Sequence, residues 1–110
     1  MRLLLGSIAA LALAGCDRQI AGGKADGAAI FADPCARCHG DAGKPPDAMM
    51  RQLNVRDLTA PEFTSRATRE LVIAQVRGGS QNGVMPSFAG SLTDAQVEAV
   101  SDFVLGLGRK

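Results

Sequence analysis

The chain has no tryptophan, no tyrosine and only four phenylalanines among 110 residues. A single domain of this length buries little surface per residue, and so few large side chains leave its core short of volume unless something else fills it. Histidine occurs once and cysteine three times, too sparse for a disulfide scaffold. Neither sign of charge prevails, because twelve Lys and Arg face eleven Asp and Glu. That balance excludes the basic stripe on which nucleic-acid binding depends. Beyond the N-terminal region no run of about eighteen apolar residues occurs, so no later segment reads as a membrane-spanning helix. With 46% hydrophobic and 21% charged residues, the composition is that of one folded domain.

What is present begins with MRLLLGSIAALALAG, residues 1–15. One Arg, an apolar stretch from Leu3 to Ala14 and small residues at its end form the layout of an export signal, too short to span a bilayer. Directly after it, Leu13-Ala14-Gly15-Cys16 resembles the bacterial lipobox. The resemblance implies a lipidated Cys16 as the first residue of the mature protein, where an ordinary secreted protein would carry an exposed reactive thiol. Removing residues 1–15 takes away one charged group, Arg2, and leaves a formal net charge of zero. Residues 16–24, polar and Gly-containing, read as a flexible tether. Residues 25–110 then form the domain.

Helical signals dominate that domain. A short helix is predicted over 26–33, stopped by Pro34, and another around 49–53. Thr68 is placed to cap a helix over 68–77, which Gly78-Gly79 ends. The clearest element opens at Thr93-x-x-Gln96, a capping box. It continues with Val97, Val100, Val104 and Leu107 at helical spacing. Asp94, Glu98 and Asp102 lie opposite as a solvated acidic face. No stretch alternates with strand period, so the expected class is all-α, with three or four short helices and long loops.

The sparing use of Cys and His is broken once, at PCARCHG, residues 34–40. Two thiols two residues apart with His next to them form the c-type haem attachment pattern. Each thiol adds across one vinyl group, and one helical turn brings both within reach, so Cys35 and Cys38 are the predicted thioether links. His39 then stands under the iron as proximal ligand. A redox dithiol would need a βαβ setting, and a zinc site would lack a fourth ligand. Haem also supplies the volume that the aromatic count withholds.

With a single His, bis-His ligation within the chain is impossible. Met49 and Met50 follow His39 closely and read as core filling. Met85 sits in GGSQNGVMPSF, a Gly-rich loop able to carry a side chain to the opposite face of the haem, and is the predicted second axial ligand. Gln81 or Asn82 could tune the sulfur through a hydrogen bond. Arg51 and Arg56 are candidates for the haem propionates, or plain surface arginines.

Gly27-x-x-x-Phe31 ahead of CARCH, the NGVMPSF segment and the final VSDFVLGL together resemble the small bacterial class I c-type cytochromes. The resemblance covers roughly 26–107. It implies the cytochrome c fold wrapped around one covalent haem c, with first and last helices crossing at Gly27, Phe31 and Phe103. It also implies a proline carbonyl, of Pro45 or Pro46, accepting the proximal His N–H. The function expected is one-electron transfer by a non-enzymatic monomer. Its anchor would hold it at the periplasmic face of the inner membrane among membrane redox partners, since Asp17 after such a Cys resembles an inner-membrane retention signal. A haem subunit of a larger oxidase or reductase, and a gas binder with a displaceable Met, are the alternatives.

Overall fold

The computed structural model describes residues 18–109; the stretch expected to be an export signal and Cys16 lie outside them. The described residues contain helices, turns and loops but no strand, in agreement with the all-α expectation.

The first helix is longer than expected. Gly27–Ile30, Phe31–Cys35 and Ala36–His39 run on as one helix, α1 (27–39), with Asp26 Oδ1 accepting from the Ala29 N–H at its start. Pro34 does not end it. Around the proline the backbone widens into a π turn, in which the Ala36 N–H reaches back five residues to the Phe31 carbonyl. The wider turn accommodates a ring that an α-turn would exclude. In consequence Cys35, Cys38 and His39 belong to the same helix as Gly27 and Phe31.

Four further helices follow: α2 (Asp47–Leu53), α3 (Pro61–Thr64), α4 (Arg69–Gly78) and α5 (Asp94–Leu107). The single turn α3, not expected from the sequence, begins with Pro61 at the first helical position, where its missing N–H costs nothing. Thr68 accepts from the Leu71 N–H to cap α4. Both halves of the capping box form at α5: Thr93 Oγ1 accepts from the Gln96 N–H, and Gln96 Oε1 accepts from the Thr93 N–H. The acidic face of α5 is not merely solvated. Arg69 meets Asp102 at 2.8 Å and Arg77 meets Asp94 at 3.2 Å, tying α4 to α5. Exposed pairs of this kind fix orientation more than they stabilise.

Ile30, Phe31, Val97 and Val100 are fully buried where α1 crosses α5. The rings of Phe31 and Phe103 lie 5.2 Å apart. A Cβ built on Gly27 would sit 2.3 Å from the Ala99 carbonyl oxygen, so the crossing requires a residue without a side chain there. Gly27→Ala is expected to force the helices apart and cost roughly 2–3 kcal/mol, the scale of overpacking in a tight core. Chemical denaturation of the haem-loaded protein measures this, and an unchanged midpoint would contradict the close crossing.

The stretch expected to be a flexible tether is ordered at its C-terminal end. Ile20–Gly23 forms a tight turn, and Ile20 and Ala21 pack against the core.

Candidate haem site

Both cysteines of the attachment motif, His39 and Met85 line a single cleft of about 500 Å³. Its walls are core side chains, among them Phe31, Leu58, Phe63, Val76 and Val104. Leu53, Leu71 and Val84 are the large apolar residues exposed among those described, and all three line this cleft. Apolar groups turned towards an open cleft are what a flat, mostly apolar group would cover. The residues present therefore fit a haem.

The proximal side is built by a fold-back of the chain. Asn54 adopts the left-handed conformation, φ 53°, and ends α2. The Leu58 N–H then donates to the Gly43 carbonyl over 2.9 Å, pinning the following segment onto the loop after α1. This brings the Arg56 carbonyl to 3.0 Å from His39 Nδ1. A carbonyl can only accept, so Nδ1 carries the proton and Nε2 keeps its lone pair for a metal. Burial pushes the imidazole pKa down, outweighing the opposite pull of that hydrogen bond, and so favours the neutral, ligating form.

That carbonyl corrects the expectation for Pro45 or Pro46. The Pro46 carbonyl is occupied at the start of α2, accepting from Met49 and Met50 at 3.0 and 3.2 Å, and Pro45 has no hydrogen bond to the ring. A backbone acceptor can come from any residue type, so nothing in the side-chain pattern pointed to Arg56. The left-handed Asn54 was the one cue available.

Burial, with a smaller contribution from Asp33, raises the Cys35 thiol to about 11. A thiolate nucleophile or metal ligand would be disfavoured there, whereas a thioether carries no charge and tolerates burial. Among the described residues no three Cys, His, Asp or Glu side chains converge as a metal-ion site would need. Both observations count against the dithiol and zinc readings.

Met85, which lines the same cleft, is held by a compact loop. Ser80 accepts the Met85 N–H at its hydroxyl over 3.0 Å and donates its own N–H to the Met85 carbonyl over 2.9 Å. Gly79 stands at φ 70°, and a Cβ there would lie 2.5 Å from the Met85 carbonyl oxygen. Asn82 lines the cleft, and its Oδ1 accepts from Ser80 Oγ and the Val84 N–H; Gln81 does not line it. Met49 and Met50 are half-buried on α2, outside both the cleft and the core cluster, so they do not fill the core as expected. Arg56 lines the cleft and Arg51 does not. Arg66, not singled out by the sequence, lines it too.

Comparison with known proteins points to the same cofactor. Residues 22–104 match the family model described as cytochrome c oxidase, cbb3-type, subunit III. The chain is 37% identical over 92 residues to the cbb3-type cytochrome c oxidase subunit CcoP of Cereibacter sphaeroides, covering 76% of this chain and 27% of that one. It is 34% identical over 108 residues to cytochrome c6 of Synechocystis sp., covering 98% of this chain and 82% of that one. Thus it spans about a quarter of the oxidase subunit but most of the small cytochrome. A solved structure, the KustC0563 c-type cytochrome, superposes with a TM-score of 0.67 at 29% identity, over 74% of this chain and 96% of that one.

Proposed function

Because the chain belongs to the cytochrome c family, as a small monohaem class I member with covalently bound haem c, we propose that it is a membrane-tethered one-electron carrier with His39 and Met85 as axial ligands. The observation that carries this reading is the placement of His39 and Met85 on one cleft with Cys35 and Cys38. When bound, the haem supplies reversible one-electron exchange at its iron. Cys35 and Cys38 hold it covalently from α1. His39, its Nδ1–H fixed by the Arg56 carbonyl, presents Nε2. Met85 offers its thioether sulfur from the 79–88 loop, and a thioether raises the potential relative to a second imidazole. If His39 and Met85 both held the iron, no open position would remain there for a substrate. Arg56 and Arg66 line the cleft and would be candidates to pair with the haem propionates.

Gly79→Ala tests the loop. The added Cβ would meet the Met85 carbonyl and stand in a left-handed conformation, a strain of roughly 1–2 kcal/mol. Weakened sulfur ligation is the expected result, read as partial carbon monoxide binding by the ferrous protein. Wild-type resistance to carbon monoxide in this variant would contradict the loop's role.

The tether rests on the lipobox-like sequence before Cys16. Among the described residues no helix is long and apolar enough to cross a membrane. Several acyl chains on Cys16 would anchor the domain stably, where one chain is marginal. Confinement at the surface of the inner membrane raises the effective concentration at membrane-bound redox partners. Cys16→Ser, exported through an ordinary secretory signal, is expected to move the protein from the membrane fraction to the soluble periplasm. Its isolated potential should stay unchanged. Unaltered membrane location would overturn the anchor.

A second reading has its own support. Similarity to an oxidase subunit, at 37% identity, favours a fixed haem subunit within a larger complex. Detergent extraction separates the two: a carrier leaves the membrane alone, and a subunit leaves with its complex.

A further inference from the structure

The segment that follows Cys16 is fastened to α5, which is in turn tied to the Met85 loop through α4. Gln96 is buried in the first turn of α5, and its side-chain amide donates twice, to the Ile20 carbonyl at 3.0 Å and to the Lys24 carbonyl at 3.1 Å. Its oxygen is engaged by the Thr93 N–H. Between the two clamped carbonyls, Ala21 is held at φ 53°, ψ 27°. That left-handed conformation disfavours a residue with a Cβ and persists only where the surroundings impose it.

From Gln96 the connection continues without a gap. Asp94, in the same turn of α5, pairs with Arg77 in the last turn of α4. The Arg77 carbonyl accepts the Ser87 hydroxyl, and the Val76 carbonyl accepts the Phe88 N–H. Ser87 and Phe88 close the loop that carries Met85. The entry of the N-terminal segment and the loop that carries Met85 are thus joined through the start of α5 and the end of α4.

We propose that Gln96 is an anchor clamp that turns the Met85 side of the haem cleft towards the membrane surface. The inference rests on the lipidation of Cys16 proposed above. From Cys16 to Ile20 there are four residue steps, which extended span at most about 14 Å. A clamp at Ile20 allows far less rotation than a tether running free to Lys24. Electrons would then be exchanged at a membrane-facing edge, with a redox centre seated in the bilayer-bound partner and close to its surface.

The clamp separates experimentally from the anchor. Gln96→Glu keeps the oxygen that completes the capping box and replaces the amide donor that holds Ile20 and Lys24. In the haem-loaded protein, tryptic cleavage after Lys24 is expected to accelerate ~30-fold, the population change that loss of two hydrogen bonds of ordinary net strength produces. Inserting ten Gly and Ser residues between Gln19 and Ile20 leaves the clamp intact and should leave that cleavage slow. Both variants, lipidated and placed in oriented bilayers of phosphatidylethanolamine and phosphatidylglycerol, should lose at least about half of the linear dichroism that the wild type shows in the Soret band. Unchanged Lys24 cleavage in Gln96→Glu would overturn the clamp. Unchanged dichroism in the insertion variant would overturn the orientation. Mass spectrometry finding no acyl chains on Cys16 would overturn the anchoring reading instead, a failure distinct from either.

Discussion

Replacing Cys35 and Cys38 together by alanine is expected to leave no haem that survives acid–organic extraction and no cooperative thermal transition. The reason lies in the volume of the cleft. Without haem the open cleft of about 500 Å³ leaves Leu53, Leu71 and Val84 facing water, and roughly 1.5–3 kcal/mol of burial is forgone for each. The total stability of a domain is about 5–15 kcal/mol, so the chain opens sooner than maintain such a cleft. The remaining core offers little compensation, because Phe31 is the one phenylalanine that is fully buried. Circular dichroism melts of the exported variant, with haem staining after extraction, check both parts. Haem retained after extraction would contradict the thioether assignment, and a sharp transition in the haem-free chain would contradict the core argument.

Met85→Ala is expected to have the second largest effect, and of a different kind. Met85 sits on a loop at the margin of the core rather than on a core helix, so the covalent haem and the fold should persist. The change is confined to the iron. Loss of the thioether removes the weak absorption at the red end of the ferric spectrum, lowers the potential and leaves a coordination position open. Carbon monoxide, excluded from the ferrous wild type, should then bind stoichiometrically. Met49→Ala and Met50→Ala, on the outer part of α2, should change none of these. A gas-binding function would show the reverse pattern, with the wild type already taking up carbon monoxide.

How much of this was legible in the sequence depends on what kind of contact carries each feature. Cys35, Cys38 and His39 were readable because adjacent residues on one helical turn must share a neighbourhood. Met85 was readable because a chain with one His leaves few ligands and only one loop placed to reach across. Gly27, Phe31 and Phe103 followed from the resemblance, and the lack of room for any Cβ at Gly27 against the Ala99 carbonyl gives the physical reason. Pro34 misled, since its usual effect is to stop a helix and here a π turn carries the helix past it. The Arg56 carbonyl was invisible because a backbone acceptor leaves no mark on residue type. The Gln96 contacts were missed for a related reason: they reach Ile20 and Lys24, far away in sequence, and Gln96 was already explained by its local role in the capping box.

The central claim is that Met85 and His39 hold the haem iron from opposite sides. Proton–carbon NMR of the reduced protein with its methionine methyl groups labelled tests this most directly, because a methyl group seated on the iron lies over the macrocycle and is shifted far upfield by the ring current. The account predicts one such methyl signal, present in Met49→Ala and Met50→Ala and absent in Met85→Ala. A strongly shifted methyl that disappears with Met49 or Met50, or no shifted methyl at all in the wild type, would contradict it.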